Sequence, residues 1–377
     1  AMRKICYISG TRADFGLMKY SLQAIDQDEK LKLEVVVTGM HLLSEYGNTY
    51  QEILDAGLNV IGKVKVVLSG ESGSQMSIAL GDQIIGITKI LERSKTDLVL
   101  LLGDRGEMLA GAIAALHLNI PIVHIHGGEL SGTVDESIRH AISKLSHYHF
   151  TATELSKERL IKMGEVANNI FTTGAPGLDE ICNTQLIQRE ALLEKYDIDS
   201  KSPFILFLFH PVVQQYKNVK EQLITILEGL LFDNTQILAL MPNADAGGSI
   251  ISSVLSQYKE QRKIKTVVHI ARLEFLSLLS EADLLVGNSS SGIIEAASLG
   301  TPVINIGDRQ NLRERNNNVV DVEIEKSQII NGINKARSLN KYSFDNVYGD
   351  GKSSQRIVEL LKSLAIDSKI LDKVNAY

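Results

Sequence analysis

At 377 residues the chain is too long for one typical hydrophobic core, so its length predicts two domains. The sequence is 44% hydrophobic and 22% charged, and no apolar run approaches the roughly 20 residues that span a bilayer. The formal net charge is -6 and no basic tract occurs, which argues against a nucleic-acid partner. The only cysteines, Cys6 and Cys182, suit a reducing compartment. We therefore predict a cytoplasmic protein with no nucleic-acid and no membrane partner.

Short apolar runs alternate with helical patterns through the first half of the chain. Two of them, residues 97–103 and 121–127, are rich in Val, Ile and Leu, end in Gly and enclose a helix-forming stretch. Such runs are typical of parallel strands, and strand, helix and strand at this length form a βαβ unit. The other strand candidates in this half are residues 5–10, 33–39, 148–153 and 169–174. This pattern predicts a doubly wound parallel sheet.

A second series of strands, again separated by helical segments, follows in the second half. Its members are residues 205–210, 236–242, 266–270, 284–287 and 302–307. The predicted fold class is therefore α/β, with two Rossmann-like doubly wound domains facing a cleft in a GT-B-like layout. We expect the first domain at residues 1–175 and the second at 176–355. Residues 356–377 are expected to form an amphipathic C-terminal helix that packs back on the body.

Polar side chains gather just after the two central strands, where ligands bind in open α/β sheets. They are Asp104, Arg105, Glu107, His126, Glu129, Asp135 and Glu136. A carboxylate at the end of a buried strand is costly unless it is hydrogen-bonded or functional. Carboxylates that share a site shift one another's pKa values, so the cluster predicts paired acid and base chemistry. The alternative for Asp135 and Glu136 is that they are only first-turn acids of a helix.

Three loops add further candidates to this domain. The segment SGTRADFG, residues 9–16, follows the first strand. Its Arg12 offers a planar fork of donors suited to phosphate, and Asp14 stands two residues on, although an ordinary turn with a surface arginine is the alternative. His41 is explained equally well as a structural histidine and as a site residue. Residues 68–77 are either a lid or a simple connection.

The histidines raise a metal hypothesis. His124 and His126 alternate on one strand and so share a face, but no compact Cys/His pattern accompanies them. We therefore predict no metal and no cofactor. His210 lies in the segment FHPVVQQ, residues 209–215, at the end of another strand, and is a candidate acid, base or phosphate contact.

The segment VGNSSSGIIEAASLGTPVINIGDRQ, residues 286–310, has the most specific pattern. A strand ends in Gly287, small residues follow, and a helix starts near Gly292. Small residues let the backbone approach an anion, and the N-terminal end of a helix favours phosphate. The candidate contacts are Gly287, Asn288, Ser289, Ser290, Ser291, Gly292, Glu295 and Arg309. The alternative is a well-capped helix, but together with the acidic cluster the segment predicts an enzyme acting on a phosphorylated, nucleotide-linked sugar.

The chain resembles the hydrolysing UDP-N-acetylglucosamine 2-epimerases of bacterial sialic-acid synthesis. The resemblance rests on segments in a shared order: SGTRADFG, VTGMH, LGDR, HIHGGE, DESIRH, FHP, and GNSSSG followed by INIGDRQ. Members convert UDP-N-acetylglucosamine and water to N-acetylmannosamine and UDP. They eliminate UDP to leave a glycal and then add water with the opposite configuration at C2. The resemblance also implies a UDP-sugar substrate and a homodimer or homotetramer.

Roles for individual residues follow from this resemblance. The implied catalytic acids are Asp104, Glu129 and Asp135 or its neighbour Glu136, and His210 is implied to lie beside the diphosphate. The implied UDP contacts are Arg12, Ser289, Ser290, Gly292 and Glu295, with Arg272 on the uracil side. Further substrate contacts are expected at Asp14, Arg105, His126, Gly287, Asn288, Ser291 and Arg309.

The leading interpretation is thus hydrolytic epimerisation of UDP-N-acetylglucosamine. The alternative is the related branch that acts on UDP-N,N'-diacetylbacillosamine in legionaminic-acid synthesis. A GT-B glycosyltransferase or a non-catalytic nucleotide-sugar sensor fits less well. In the non-hydrolysing branch a Glu stands where this chain has His126, which disfavours a reversible epimerase that keeps UDP on the sugar.

Overall fold

The computed structural model of the chain describes residues 1–42, 49–66, 73–131, 135–212, 218–242, 248–268, 270–342 and 344–377. The chain divides into two compact units. Unit 1 consists of Ala1–Glu180 and Tyr348–Tyr377, and unit 2 consists of Ile181–Val347. Residues 348–355, which the sequence analysis assigned to the second domain, therefore belong to unit 1, as do residues 176–180.

Each unit is built on a parallel sheet. The strands of the described residues are β1 (Arg3–Ser9), β2 (Leu31–Thr38), β3 (Val60–Val64), β4 (Leu98–Leu102), β5 (Ile122–Ile125), β6 (Tyr148–Thr151), β7 (Ile170–Thr172), β8 (Phe204–Leu208), β9 (Gln236–Leu240), β10 (Lys265–Val267), β11 (Leu284–Gly287), β12 (Val303–Ile306) and β13 (Val319–Val322). The sheet order is β3-β2-β1-β4-β5-β6-β7 in unit 1 and β10-β9-β8-β11-β12-β13 in unit 2.

Helices connect the strands. Those of the described residues are α1 (Arg12–Gln27), α2 (Thr49–Asp55), α3 (Gly73–Ser94), α4 (Gly106–His117), α5 (Asp135–Leu145), α6 (Glu154–Lys162), α7 (Leu178–Asn183), α8 (Arg189–Lys195), α9 (Val219–Leu231), α10 (Gly248–Glu260), α11 (Arg272–Glu281), α12 (Ser290–Ile294), α13 (Lys326–Arg337), α14 (Ser353–Ser363) and α15 (Ser368–Leu371). Within the described ranges, none of these helices is both long enough and apolar enough to cross a membrane.

The core of unit 1 lies along the central strands. Every residue of β4 and of β5 is buried, as expected for runs of Val, Ile and Leu that are covered by helices on both faces. The C-terminal helix α14 adds Ile357 and Leu361 to the same core. Its Ser354 Oγ lies 2.7 Å from Ser21 Oγ of α1. The C-terminal segment is therefore an integral part of unit 1.

The predicted α/β class with two Rossmann-like sheets is confirmed, and each predicted strand is present with small shifts at its ends. Two strands escaped prediction, β3 and β13, and each forms one edge of its sheet. β3 is mostly half-buried or exposed, and β13 alternates buried with less buried residues over only four positions. Edge strands of this kind lack the continuous apolar run that betrays a central strand.

The winding of each sheet reverses at one point. This switch lies between β1 and β4 in unit 1 and between β8 and β11 in unit 2. Ligands of doubly wound sheets bind beside such a point, at the carboxyl ends of the strands. The loop after β1 and Asp104 lie there in unit 1, and His210 and Asn288 lie there in unit 2. Most of the predicted site residues thus follow either a strand beside a switch point or the neighbour of such a strand in the sheet.

Candidate active site

Asp104 ends the loop after β4 and is held by an arginine from α5. The Arg139 Nη2 donates to the Asp104 Oδ2 at 3.0 Å, and Nη1 donates to the main-chain oxygen of His126 at 2.7 Å. The Arg139 side chain is 7% exposed, whereas that of Asp104 is 26% exposed. A carboxylate at the end of a buried strand is thus charge-paired on one side and open to solvent on the other.

The turn after β5 presents Glu129. His126 adopts a left-handed conformation, with φ of 68°, and its Nδ1 lies 2.5 Å from the Glu129 Oε2. Gly128 also has positive φ, and a Cβ there would lie 2.2 Å from the main-chain oxygen of Ser156, so only glycine fits. The end of β5 therefore directs the His126 ring toward Glu129. The Glu129 carboxylate is hydrogen-bonded to this ring.

Asp135 and Glu136 open α5, so they do occupy the first turn of a helix. Burial raises the pKa of Asp135, and the negative charge of Asp104 raises it further, while two nearby arginines oppose the rise. Glu136 Oε1 lies 3.3 Å from the Nε2 of His140 one turn on. Asp135 thus keeps its proton to higher pH than an ordinary aspartate, which suits a proton donor.

Two residues of this cluster received no role from the sequence. Glu107 is nearly buried, and its carboxyl group packs where a Cβ on Gly10 or Gly39 would otherwise lie. Its Oε2 accepts from the Arg105 Nε at 3.2 Å. Arg139, the second residue, was visible only as part of the segment DESIRH. Because Arg139 stands one helical turn after Asp135, helical periodicity would have placed both residues on the same face of α5.

The loop after β1 uses Asp14 to build itself. Its carboxylate accepts from the Gly10 and Thr11 main-chain N–H groups at 2.8 and 2.7 Å, and from the Tyr7 and Ser9 hydroxyls at 2.8 and 2.7 Å. Burial raises the pKa of Asp14, and these hydrogen bonds oppose the rise. Asp14, expected as a substrate contact, therefore serves as the structural centre of the loop.

Arg12 of the same segment is exposed. Its side chain is 73% exposed, and its Nε lies 3.1 Å from the Glu52 Oε1. An exposed ion pair of this kind is weak and easily exchanged. Arg12 therefore keeps the freedom to bind an anionic ligand that its predicted role requires.

Two histidines of unit 1, His41 and His124, have hydrogen-bond partners at both ring nitrogens. Since Gly103 O can only accept, the His124 Nε2 at 2.8 Å carries the proton, and its Nδ1 accepts from the Ser143 hydroxyl at 2.8 Å. Burial lowers the pKa of His124 to about 3. His41 is buried, with its two ring nitrogens 2.8 Å from the Ser9 and Thr49 hydroxyls. The described residues contain no group of three His, Cys, Asp or Glu able to hold a metal ion.

In unit 2 the carboxyl ends of β8 and β11 pack closely against each other. Gly287 pairs with Leu208 and has φ of 150°, and a Cβ on it would lie 1.8 Å from the Leu208 main-chain oxygen. The next residue, Asn288, is buried. Its Oδ1 accepts from the His210 N–H at 2.7 Å, and its Nδ2 donates to the His210 main-chain oxygen at 2.8 Å. The backbone of His210 is thus clamped at both polar groups.

Asn288 is in turn supported from the next loop. Its main-chain oxygen accepts from the Arg309 Nη1 at 2.9 Å and from the Gln310 Nε2 at 3.2 Å. The Asn288 side chain, expected as a ligand contact, therefore holds the main chain of His210 in place. Arg309 likewise uses its Nη1 to support the main chain of Asn288.

The predicted helix after β11 is short. α12 covers only Ser290–Ile294 and leads into a 3-10 turn at Ala296–Leu299. Ser289 caps it, because its Oγ accepts from the Ser291 N–H at 3.3 Å. Gly292 is tightly packed, since a Cβ there would lie 2.9 Å from the Val303 Cγ1. The capped helix that we considered as an alternative is thus present, although it is short.

Glu295 follows α12 and meets Arg272. The Arg272 Nη2 lies 3.1 Å from the Glu295 Oε1. The other carboxylate oxygen, Oε2, is buried and makes no hydrogen bond to any described residue. Buried acceptors are normally hydrogen-bonded, and a ligand hydroxyl group would supply the missing donor. The predictions for residues 68–72 and 213–215 lie outside the described residues.

Comparison with known proteins decides the family. Residues 23–362 match the family model described as UDP-N-acetylglucosamine 2-epimerase. The chain belongs to this family. It is 49% identical over 376 residues to a hydrolysing UDP-N,N'-diacetylbacillosamine 2-epimerase of Legionella pneumophila, with 100% of both chains covered. The membership that the sequence motifs predicted is therefore confirmed.

Two further 2-epimerases extend the comparison. A UDP-N-acetylglucosamine 2-epimerase of Neisseria meningitidis is 35% identical over 366 residues, which covers 96% of each chain. The UDP-GlcNAc 2-epimerase of Methanocaldococcus jannaschii, solved in complex with UDP-GlcNAc and UDP, superposes with a TM-score of 0.74 at 25% identity. That match covers 95% of this chain and 99% of the other. The two-unit α/β architecture is therefore the epimerase architecture.

Proposed function

We propose that this 2-epimerase is a hydrolysing enzyme whose substrate is UDP-N,N'-diacetylbacillosamine. The observation that carries the proposal is the full-length similarity to the Legionella pneumophila enzyme at 49% identity, against 35% for the Neisseria meningitidis enzyme named for UDP-N-acetylglucosamine. This reverses the order of the two substrates that the sequence motifs alone favoured. The corresponding pathway is legionaminic-acid rather than sialic-acid synthesis. The homodimer or homotetramer expected from the resemblance remains a prediction.

The proposed first step removes UDP. A carboxylate takes the proton from C2, the C–H electrons form the C1–C2 double bond, and the C1–O bond breaks with its electrons leaving on the diphosphate. Asp104 is the proposed base, because Arg139 holds one of its oxygens and its side chain is partly open to solvent. No carbonyl acidifies the C2 proton, so a well-placed base and help for the leaving group are both needed.

The proposed second step adds water to the glycal. Water bonds to C1 through its oxygen and releases one of its protons to solvent, while a proton from a carboxyl group reaches C2 from the face opposite to the one that lost it. Asp135 is the proposed proton donor, because it opens α5 near Asp104, whose charge helps to raise the pKa of Asp135. Glu129, paired with His126, is the proposed group that orients the water or the sugar.

UDP is the proposed ligand of the remaining candidates. In unit 2, His210 suits the diphosphate, since Asn288 fixes its main chain. In unit 1, Arg12 is an exposed guanidinium that suits an anionic group. Glu295 suits the ribose hydroxyls through its buried unpartnered oxygen, and Arg272 pairs with the other oxygen of its carboxylate. Ser289 and Ser290 complete the proposed contacts.

Initial rates of UDP release test the substrate. We expect the purified protein, without any acceptor, to turn over UDP-N,N'-diacetylbacillosamine with a kcat/KM at least about tenfold above that for UDP-N-acetylglucosamine, since a pocket built for a polar group discriminates by about that much or more. The reverse ratio would restore the sialic-acid assignment. UDP release that requires an added sugar acceptor would instead indicate a glycosyltransferase, and binding without release a sensor.

A further inference from the structure

Arg139 is the most deeply buried cation of the acidic cluster. It lies on α5, and its side chain is only 7% exposed. Its guanidinium forks between two acceptors, the Asp104 Oδ2 at 3.0 Å and the His126 main-chain oxygen at 2.7 Å. Its Nε is buried as well and makes no hydrogen bond within the described part of the chain. The hydrogen bonds of the Arg139 guanidinium therefore go to these two groups.

The two acceptors belong to neighbouring strand ends. Asp104 follows β4 after Gly103, whose φ is 83°, and His126 follows β5 with φ of 68°. A left-handed conformation is uncommon for a residue with a Cβ and needs support from its surroundings. The bond from Arg139 supplies that support at the His126 oxygen, while the His126 ring holds Glu129. One guanidinium therefore fixes one proposed catalytic carboxylate directly and a second through the turn.

Arginine is the side chain that this geometry requires. Its planar fork presents donors in two fixed directions, whereas a lysine ammonium on a flexible stem can reach one acceptor well. The other cation of the cluster, Arg105, is 44% exposed and is paired with Glu107. Arg105 therefore does not duplicate the bridge between β4 and β5.

We propose that Arg139 is a positioning residue of the epimerase: it sets Asp104 and the 126–129 turn in the one relative arrangement that proton removal at C2 requires. The inference rests on the proposed function, because it takes Asp104 and Glu129 as the groups that act on the sugar. It assigns to Arg139 no contact with substrate. Its effect on the rate is exerted through Asp104 and the turn.

Substitution at Arg139 tests the proposal through the rate constants. Arg139→Met should lower kcat about 10²-fold, because a misplacement of the reacting groups by about 1 Å costs that much. Arg139→Lys should give a smaller loss, since one of the two bonds survives. The KM and the affinity for UDP should stay within about threefold of wild type, because unit 2 supplies the proposed UDP contacts other than Arg12.

Arg356 is a matched control in the same unit. It also donates to one main-chain oxygen, that of Thr173, and to one aspartate, Asp350. Its side chain is 42% exposed, and neither acceptor is a site candidate. Arg356→Met should leave kcat within about twofold. Thermal unfolding of both variants separates a loss of folded protein from a loss of rate.

A double-mutant cycle with Asp104→Asn distinguishes positioning from a structural role. If Arg139 acts through Asp104, the factor lost by Arg139→Met should shrink from about 10² to a few-fold in the Asp104→Asn background. An equal factor in both backgrounds, or a kcat of Arg139→Met close to wild type, would overturn the inference. Inactive wild-type protein on both UDP-sugars would remove the proposed function itself, and this role of Arg139 with it. Active wild type with an unaffected Arg139→Met would remove only this inference.

Discussion

Asp104→Asn is expected to lower kcat by about 10³-fold, because an amide cannot accept the C2 proton and general bases contribute 10²- to 10⁴-fold. The substitution keeps the shape of the side chain and one acceptor oxygen for Arg139. The affinity for UDP should therefore stay close to that of wild type. Steady-state rates of UDP release, together with calorimetric titration of UDP, measure the two quantities on the same protein.

Asp97 provides the matched control for this change. It stands at the opposite end of the same strand, just before β4, where its Oδ2 accepts from the Lys4 N–H at 2.8 Å. Asp97→Asn makes the same chemical change away from the carboxyl ends of the strands. We expect it to leave kcat within about twofold and to cost at most about 1 kcal/mol of stability, the usual worth of one hydrogen bond. Activity of Asp104→Asn similar to that of Asp97→Asn would refute the assignment of the base.

Gly287→Ala is expected to abolish the native structure of unit 2 at the β8–β11 junction. The new Cβ would lie 1.8 Å from the main-chain oxygen of Leu208, to which Gly287 is paired in the sheet. The residue also has φ of 150°, a region that essentially only glycine enters. Both partners are backbone in adjacent strands, so neither can move alone. We expect a loss of at least about 4 kcal/mol, the range of exceptional substitutions, and with it the loss of UDP binding.

Gly81→Ala is the control for the glycine substitution. Gly81 lies inside α3, and no atom is within 4 Å of the position that its Cβ would take. Alanine is a better helix former than glycine, so a gain of about 0.5–1 kcal/mol is expected. Chemical denaturation of both variants measures the difference. A Gly287→Ala protein as stable as wild type would contradict the described junction of β8 and β11.

The central strands and the positions of the site could be predicted from the sequence, because buried parallel strands leave continuous apolar runs. β4 and β5 are examples, and Arg139 joins the loops that follow them. The edge strands β3 and β13 could not, since a short edge strand that is partly exposed carries no such run. Strand ends are thus located more reliably than sheet edges.

The tasks of individual polar residues were harder to predict. Asp14 and Asn288 were expected to contact substrate, yet their side chains bind the backbone of their own loop and of His210. Arg139 was overlooked, although it holds Asp104. A sequence places a polar residue after a strand, but whether its atoms face a ligand or a neighbouring main chain depends on contacts between segments far apart in the chain.

The most direct test of the central claim is an NMR time course of the reaction in deuterated water. We predict that UDP-N,N'-diacetylbacillosamine yields UDP and the free 2-epimerised sugar, with deuterium at C2. The deuterium would report removal of the C2 proton and its replacement from solvent, and the free sugar would report hydrolysis. A UDP-linked epimer without UDP release, or a released sugar that keeps its C2 proton and configuration, would contradict hydrolytic 2-epimerisation.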